Sequence, residues 1–362
     1  MSDSRIATPG RPKFGATRRK VISGSPQSLI RAEPSDGEGH APLIIRPAVD
    51  GVDLVSWARS DADFISSSLR KYGAILFQDF KGHSIAQFER LIAATSSAIM
   101  DYHDRSSPRS AVTENIYSST DHPPEQTILL HNENSYSAAW PLKIYFHCAI
   151  PATSGGETPI ADCRKVLARL DPVVRDRFQQ KQVMYVRNFG DGIGLPWQTA
   201  FETTDKAGVE KYCHGNALDF QWLEGERLRV RGVRPAIATH PRTGEQVWFN
   251  QAALFHPSSL EPCVRADLLS HFKEEELPLN AYYGDGAPIE AAALKVIHEA
   301  YNHETILFPW RAGDTLMLDN MLVAHGRRPF AGARRIVVGM ADSWGLEQSD
   351  QAVKGSDDTE HS

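Results

Sequence analysis

The stretch "LKIYFHCAI", residues 142–150, alternates without a break. Leu142, Ile144, Phe146, Cys148 and Ile150 fall on one side of an extended chain, and Lys143, Tyr145 and His147 on the other. Successive side chains of a strand point to opposite faces, so this pattern specifies a strand with one apolar face against a core. "AILFQDF", "QVWFNQ" and "RRIVVGMAD" read as further strands. Helix signals stand between them. "SDADFISSSLRKYG" carries Phe64, Ile65, Leu69 and Tyr72 at helical spacing and meets a stop at Gly73. "SIAQFERLIAATSSAIM" opens on a Ser84-x-x-Gln87 capping box and repeats Phe88, Leu91, Ile92 and Ile99 on one face. The expected class is α+β and β-rich, with one β core flanked by helices.

The chain has 362 residues, enough for one large domain or two ordinary ones. Its 39 basic and 45 acidic residues leave a net charge of −6, which offers no overall basic footprint for nucleic acid. Cys148, Cys163, Cys213 and Cys263 are scattered with no C-x-x-C, as reduced thiols would be. No run of side chains suits a membrane span or a signal peptide, so a cytoplasmic protein is expected, free of nucleic acid and membrane. Residues 1–42 read as a mobile basic arm, with Arg5, Arg11, Lys13, Arg18, Arg19 and Lys20. Such an arm is a solvated tail or a dock for an acidic partner, and the tail is the favoured reading. A folded domain is expected over 43–345 and a disordered acidic tail over 346–362.

In "LLHNENSYS", residues 129–137, His131 and Glu133 stand two apart after a short apolar run. Alone, they are metal ligands or two polar residues at a strand end. Side chains at i and i+2 of a strand point the same way, so only a strand lets both grip one ion. A third ligand must come from far along the chain, and His325 follows the strand-like "TLMLDNMLVA". One carboxylate with two imidazoles leaves open positions on an octahedral ion, the donor set of non-haem Fe(II) oxygenases.

Over most of its length, roughly residues 45 to 345, the chain resembles the Fe(II)/2-oxoglutarate dioxygenases of the taurine dioxygenase type. It is most similar to the branch that includes the syringomycin-pathway amino-acid hydroxylase. The resemblance rests on "LLHNENSYS", "PATSGGETPIADCR", "HPRTGEQVWFNQ", "LPLNAYYGDGAPIE" and "FPWRAGDTLMLDNMLVAHGRRPFAGARRI" in this order. It implies a double-stranded β-helix, the jelly-roll core, with flanking helices. It implies His131, Glu133 and His325 as ligands of Fe(II), with 2-oxoglutarate as cosubstrate. Thr158 and Arg335 match the threonine and arginine that hold its distal carboxylate. Many relatives carry aspartate where this chain has Glu133. Parity along "RRIVVGMAD" supports Arg335 over Arg334, since Arg335 shares a face with Val337, Gly339 and Ala341, which leave room beside a ligand.

Iron halogenases of this superfamily have Ala or Gly at the carboxylate position, so Glu133 favours hydroxylation. The branch implies an amino-acid substrate hydroxylated at Cβ in natural-product biosynthesis, free or tethered to a carrier protein. Hydroxylation or desaturation of a free amino acid or small carboxylate is the alternative. A metal-dependent non-oxygenase, or a catalytically silent jelly-roll binding protein, is the alternative of another class. Tyr136, Arg187 and Asn188 are candidate substrate contacts. The residues leave oligomeric state open.

Overall fold

In a computed structural model of the chain, the described residues are 29–35, 41–82, 84–100, 112–113, 115–119, 122–190 and 194–346. The alternating stretch lies within the long strand Ala139–Ile150, inside the largest sheet. That sheet runs, edge to edge, Ile30–Pro34, Leu43–Pro47, Ala74–Phe77, Thr315–Asp319, Ala139–Ile150, Arg335–Gly345 and Tyr117–Ser118. Neighbours are antiparallel except Leu43–Pro47 beside Ala74–Phe77.

Both faces of the sheet are covered. Leu142, Ile144, Phe146 and Cys148 meet Leu316, Leu318, Ile336, Val338 and Met340 in one core. Val183, Tyr185, Ala281 and Tyr283 enter that core from the second sheet, ordered Asp219–Trp222, Leu228–Arg234, Val183–Phe189, Leu279–Tyr283. Ile160 and Val323 enter it from a three-stranded sheet, ordered Ile128–His131, Val323–Arg327, Ile160–Asp162. On the other side Tyr145, Met317, Val337 and Ala341 lie under Leu69, Leu91 and Ile92 of the helices Ala62–Tyr72 and Ile85–Thr95. Lys143, Tyr145 and His147 are therefore buried as well, against the expectation of a single core face. Each is satisfied there. Lys143 pairs with Asp342 at 2.9 Å, the Tyr145 hydroxyl lies 2.9 Å from Thr95 Oγ1, and His147 Nδ1 lies 2.9 Å from Thr315 Oγ1.

Local signals explain the helices. Gly73 ends the first in the left-handed region at φ 70°, as its lack of a Cβ permits. Ser84 and Gln87 form the reciprocal capping box of the second. That helix stops at Thr95, so Ile99 is not on its face; it bridges instead to Ala341. The apparent strand "TLMLDNMLVA" is two strands in different sheets, Thr315–Asp319 and Val323–Arg327, with His325 inside the second.

The expected arm is shorter than residue 42, because Ile30–Pro34 pairs with Leu43–Pro47. Edge pairing is made by backbone groups, which an absence of large apolar side chains does not reveal. Residues 1–28, with the basic cluster, and the acidic tail beyond Leu346 lie outside the described residues. Among the described residues no helix is long and apolar enough to cross a membrane.

Gly339 sits where sheet and helices approach closely. A Cβ there would press on Ile92 Cδ1 and stand 3.1 Å from Ile116 Cδ1. Gly339→Val should destabilise the fold by about 1–3 kcal/mol through overpacking. Urea unfolding of variant and parent, with an unchanged midpoint counting against this packing, is the check.

Candidate active site

The strand Ile128–His131 ends on the first candidate ligand, and the chain turns at once, with Asn134 at φ 56°. Glu133 lies in that turn and not on the strand. Its backbone is held by Asn320, from the turn between the two halves of "TLMLDNMLVA". Asn320 Nδ2 donates to Glu133 O and Pro141 O, each at 2.9 Å, and its Oδ1 accepts from Glu133 N at 2.8 Å. A carboxamide bonded this way replaces the strand partner that a turn residue lacks. The Asn320 turn is itself fixed by Asp319, whose Oδ1 accepts from Met321 N and Leu322 N. Asp319 Oδ2 lies 3.0 Å from His240 Nε2. His240 Nδ1 accepts from Thr243 N, which places the ring proton on Nε2. His240 is 1% exposed and forms part of this support.

His325 stands directly opposite His131 in the antiparallel pair of strands. Gly326 permits the close approach, since a Cβ there would lie 2.6 Å from Ile128 O. The imidazole centroids are 4.5 Å apart. Glu133 Oε2 is 4.0 Å from His131 Nε2 and 3.9 Å from His325 Nε2, and the three ligand atoms lie within 4.8 Å of one another. His131 Nδ1 is 2.8 Å from Leu129 O, so it is the protonated nitrogen, and Nε2 keeps its lone pair for a metal. Two imidazoles and one carboxylate, all at most partly exposed, fit a divalent transition ion with positions left open. The parity expectation for i and i+2 was the wrong route to a convergence that exists. A cross-strand pair brings the histidines together, and a turn delivers the carboxylate.

These groups line a cavity of about 430 Å³ that also reaches Phe146, Thr158, Gln251, Phe255, Arg327 and Arg334. Thr158 Oγ accepts from Trp310 Nε1 at 3.0 Å. An indole N–H only donates, so the threonine hydroxyl proton is left for another acceptor. Arg334 corrects the expectation for Arg335. Arg335 is exposed, whereas Arg334 lines the cavity, gives its Nε to Gly156 O at 3.0 Å and stacks near Phe330. The residues that leave room beside Arg335's face, Val337, Gly339 and Ala341, make room for the outer helices and not for a ligand. Ile336, Val338 and Met340, on Arg334's face, look into the core. Burial, and then the neighbouring Arg327 charge, lower the pKa of the Arg334 guanidinium to about 10 against a partial offset from Glu157, so it stays protonated at neutral pH.

Arg327 is itself committed. Its guanidinium donates to His122 O at 2.8 Å, Pro123 O at 2.5 Å and Gln126 O at 2.8 Å. It ties down the segment that forms one wall of the cavity. His122 lies on that wall, half-buried, and burial lowers its pKa.

The pattern of the "Taurine catabolism dioxygenase TauD, TfdA family" matches residues 38–341. The chain belongs to that family. The TauD/TfdA enzyme described here is accordingly a 2-oxoglutarate-dependent non-haem iron dioxygenase, with that family's mixed helices and sheets. It is 39% identical to the dapdiamide synthesis protein DdaC of Enterobacter agglomerans over 309 residues, 82% of this chain and 94% of that one. It is 28% identical to a clavaminate synthase-like protein of Arabidopsis thaliana, over 78% of this chain and 85% of the other. Among solved structures, PvcB of Pseudomonas aeruginosa matches with a TM-score of 0.52 at 14% identity, over 89% of this chain and 93% of PvcB. A taurine dioxygenase of Burkholderia xenovorans gives 0.51 at 16%, over 88% and 94%. These two likenesses concern the fold.

The three substrate candidates of this TauD/TfdA enzyme do not line the cavity. Tyr136 packs behind it, 5.1 Å from the Phe255 ring. Arg187 is inside the sheet, 4.9 Å above Phe189 and 5.4 Å from Tyr136. Asn188 points to the opposite face, where it binds Leu277 O and accepts from Arg229. Gln251, Leu254 and Phe255, which "FNQAALF" carries beside a recognised strand, line the cavity without a signal of their own in the sequence; the support that Trp310 of "FPW" gives Thr158 also has none.

Asn320→Ala removes three buried bonds to the backbone around Glu133. We expect a loss of about 2–3 kcal/mol in stability and of about tenfold or more in Co(II) affinity. Metal titration followed by absorbance is the check, with unchanged affinity counting against the role.

Proposed function

We propose that this enzyme hydroxylates an unactivated C–H bond, at Cβ, of an amino acid in natural-product biosynthesis, with the substrate either free or held on a carrier protein. The observation that carries the reading is the joining of His131, Glu133 and His325 to Thr158 and Arg334 in one cavity. In this reading His131, Glu133 and His325 hold Fe(II), and Arg334 takes the arginine role expected of Arg335. The relation to a dapdiamide synthesis protein supports the biosynthetic setting. The two inner sheet faces that meet in one core support a double-stranded β-helix over 43–345.

Fe(II) and 2-oxoglutarate together supply an oxidant able to break an unactivated C–H bond. The chain's part is placement. Arg334 offers a guanidinium to the far carboxylate of the keto acid, a pairing that also compensates the buried charge. Trp310 fixes Thr158 Oγ as acceptor, so that its O–H donates to the same carboxylate. Glu133 occupies the position that a halide would need, which favours hydroxylation over halogenation. Phe146, Leu254 and Phe255 supply an apolar wall near the metal ligands that limits water.

Glu133→Ala or His325→Ala should abolish succinate formation. Arg334→Leu should raise the KM for 2-oxoglutarate about 100-fold, whereas Arg335→Leu leaves it within about threefold. The reverse order would restore the parity assignment. Anaerobic Fe(II) protein with 2-oxoglutarate should show a visible charge-transfer band. Its absence, together with no succinate, would sink the oxygenase reading for this site.

A further inference from the structure

Gln251 precedes the short helix Ala252–Phe255, and Leu254 and Phe255 follow it at i+3 and i+4. That spacing puts all three on one side, and all three line the cavity that contains the metal ligands. Gln251 is 3% exposed, yet its carboxamide is only half used. Nε2 donates to Asn132 O at 2.6 Å, and the backbone N–H donates to the Tyr185 hydroxyl at 2.8 Å. Two oxygens could not sit as close as Nε2 and Asn132 O do, so the contact fixes which end of the amide is nitrogen. Oε1 meets no donor among the described residues, and it is not sealed from solvent. The residue that carries it lines the cavity.

We propose that Gln251 is a substrate-positioning residue whose Oε1 accepts a hydrogen bond from an ammonium or amide N–H of the substrate, and so selects substrates that carry such a donor. The proposal rests on the reading of this cavity as the dioxygenase site. Asn132 immediately precedes Glu133, so its bond to Gln251 ties the acceptor to the metal ligand. A substrate N–H held there is placed at a fixed offset from the iron. Leu254 and Phe255 stand beside the acceptor as apolar contacts for the carbon skeleton of the same molecule. An analogue lacking the donor leaves a buried acceptor unpaired, and sites built on such a bond discriminate strongly.

The test uses the Fe(II) holoenzyme and matched probes: free L-amino acids, their N-acetylcysteamine thioesters, and des-amino counterparts of the same skeleton. Substrate-stimulated succinate formation is the readout. Fe(II) affinity and substrate-free succinate formation are followed alongside, because Gln251→Met also loses the bond to Asn132 O. In the parent, donor-bearing probes should exceed their des-amino partners in kcat/KM by about tenfold or more. Gln251→Met should bring that ratio close to one, because both members of a matched pair then meet the same apolar side chain.

An unchanged ratio in Gln251→Met would overturn the proposal. So would a preference of the parent for des-amino probes. Stimulation by no probe in a parent that still forms succinate also overturns the donor class. A parent that forms no succinate and shows no charge-transfer band fails at the earlier reading instead.

Discussion

The site depends on one buried carboxamide. Glu133 cannot use strand hydrogen bonds, because it stands in a turn, and a turn residue in the interior needs another partner for its backbone. Asn320 supplies both the acceptor and the donor, and a third bond ties the same side chain to Pro141. Asn320 is held in turn by the Asp319 and His240 pair. The Glu133 carboxylate thus inherits its position from a chain of satisfied buried polar groups, each costly to break.

The histidines are placed by different means. They face each other across an antiparallel pair, so sheet register sets their separation. Two unrelated constraints therefore converge on one point: register for the imidazoles, a clamped turn for the carboxylate. The large sheet is a platform for this. Its inner face contributes Phe146 to the cavity and Ile336, Val338 and Met340 to the core that Arg334 borders, while the outer helices seal its back.

Charge follows the same plan. Arg334 and Arg327 both line the cavity, but their roles differ. Arg327 spends its donors on three backbone carbonyls and so shapes a wall. Arg334 has its charge buried with no opposing carboxylate in direct contact among the described residues, a state that costs free energy until an anion pairs with it.

Much was legible from local pattern. The strand "LKIYFHCAI", the Gly73 stop and the Ser84–Gln87 cap depend on neighbours in sequence, and the sequence alone determined them. His131, Glu133 and His325 stood out by motif and resemblance, but register and the Asn320 clamp bring them together. Tertiary structure decided what parity could not. Alternation shows that two faces differ, but not which face meets a ligand, and so Arg334 and Arg335 were exchanged. The small residues beside Arg335 read as room for a cosubstrate until helices were seen to fill it. Asn188 and Arg187 were judged by type, while the register that turns one outward and locks the other among aromatic rings comes from strands distant in the chain. His240 and Gln251 had no local signal, because their partners, Asp319 and Asn132, lie 79 and 119 residues away and meet them only on folding.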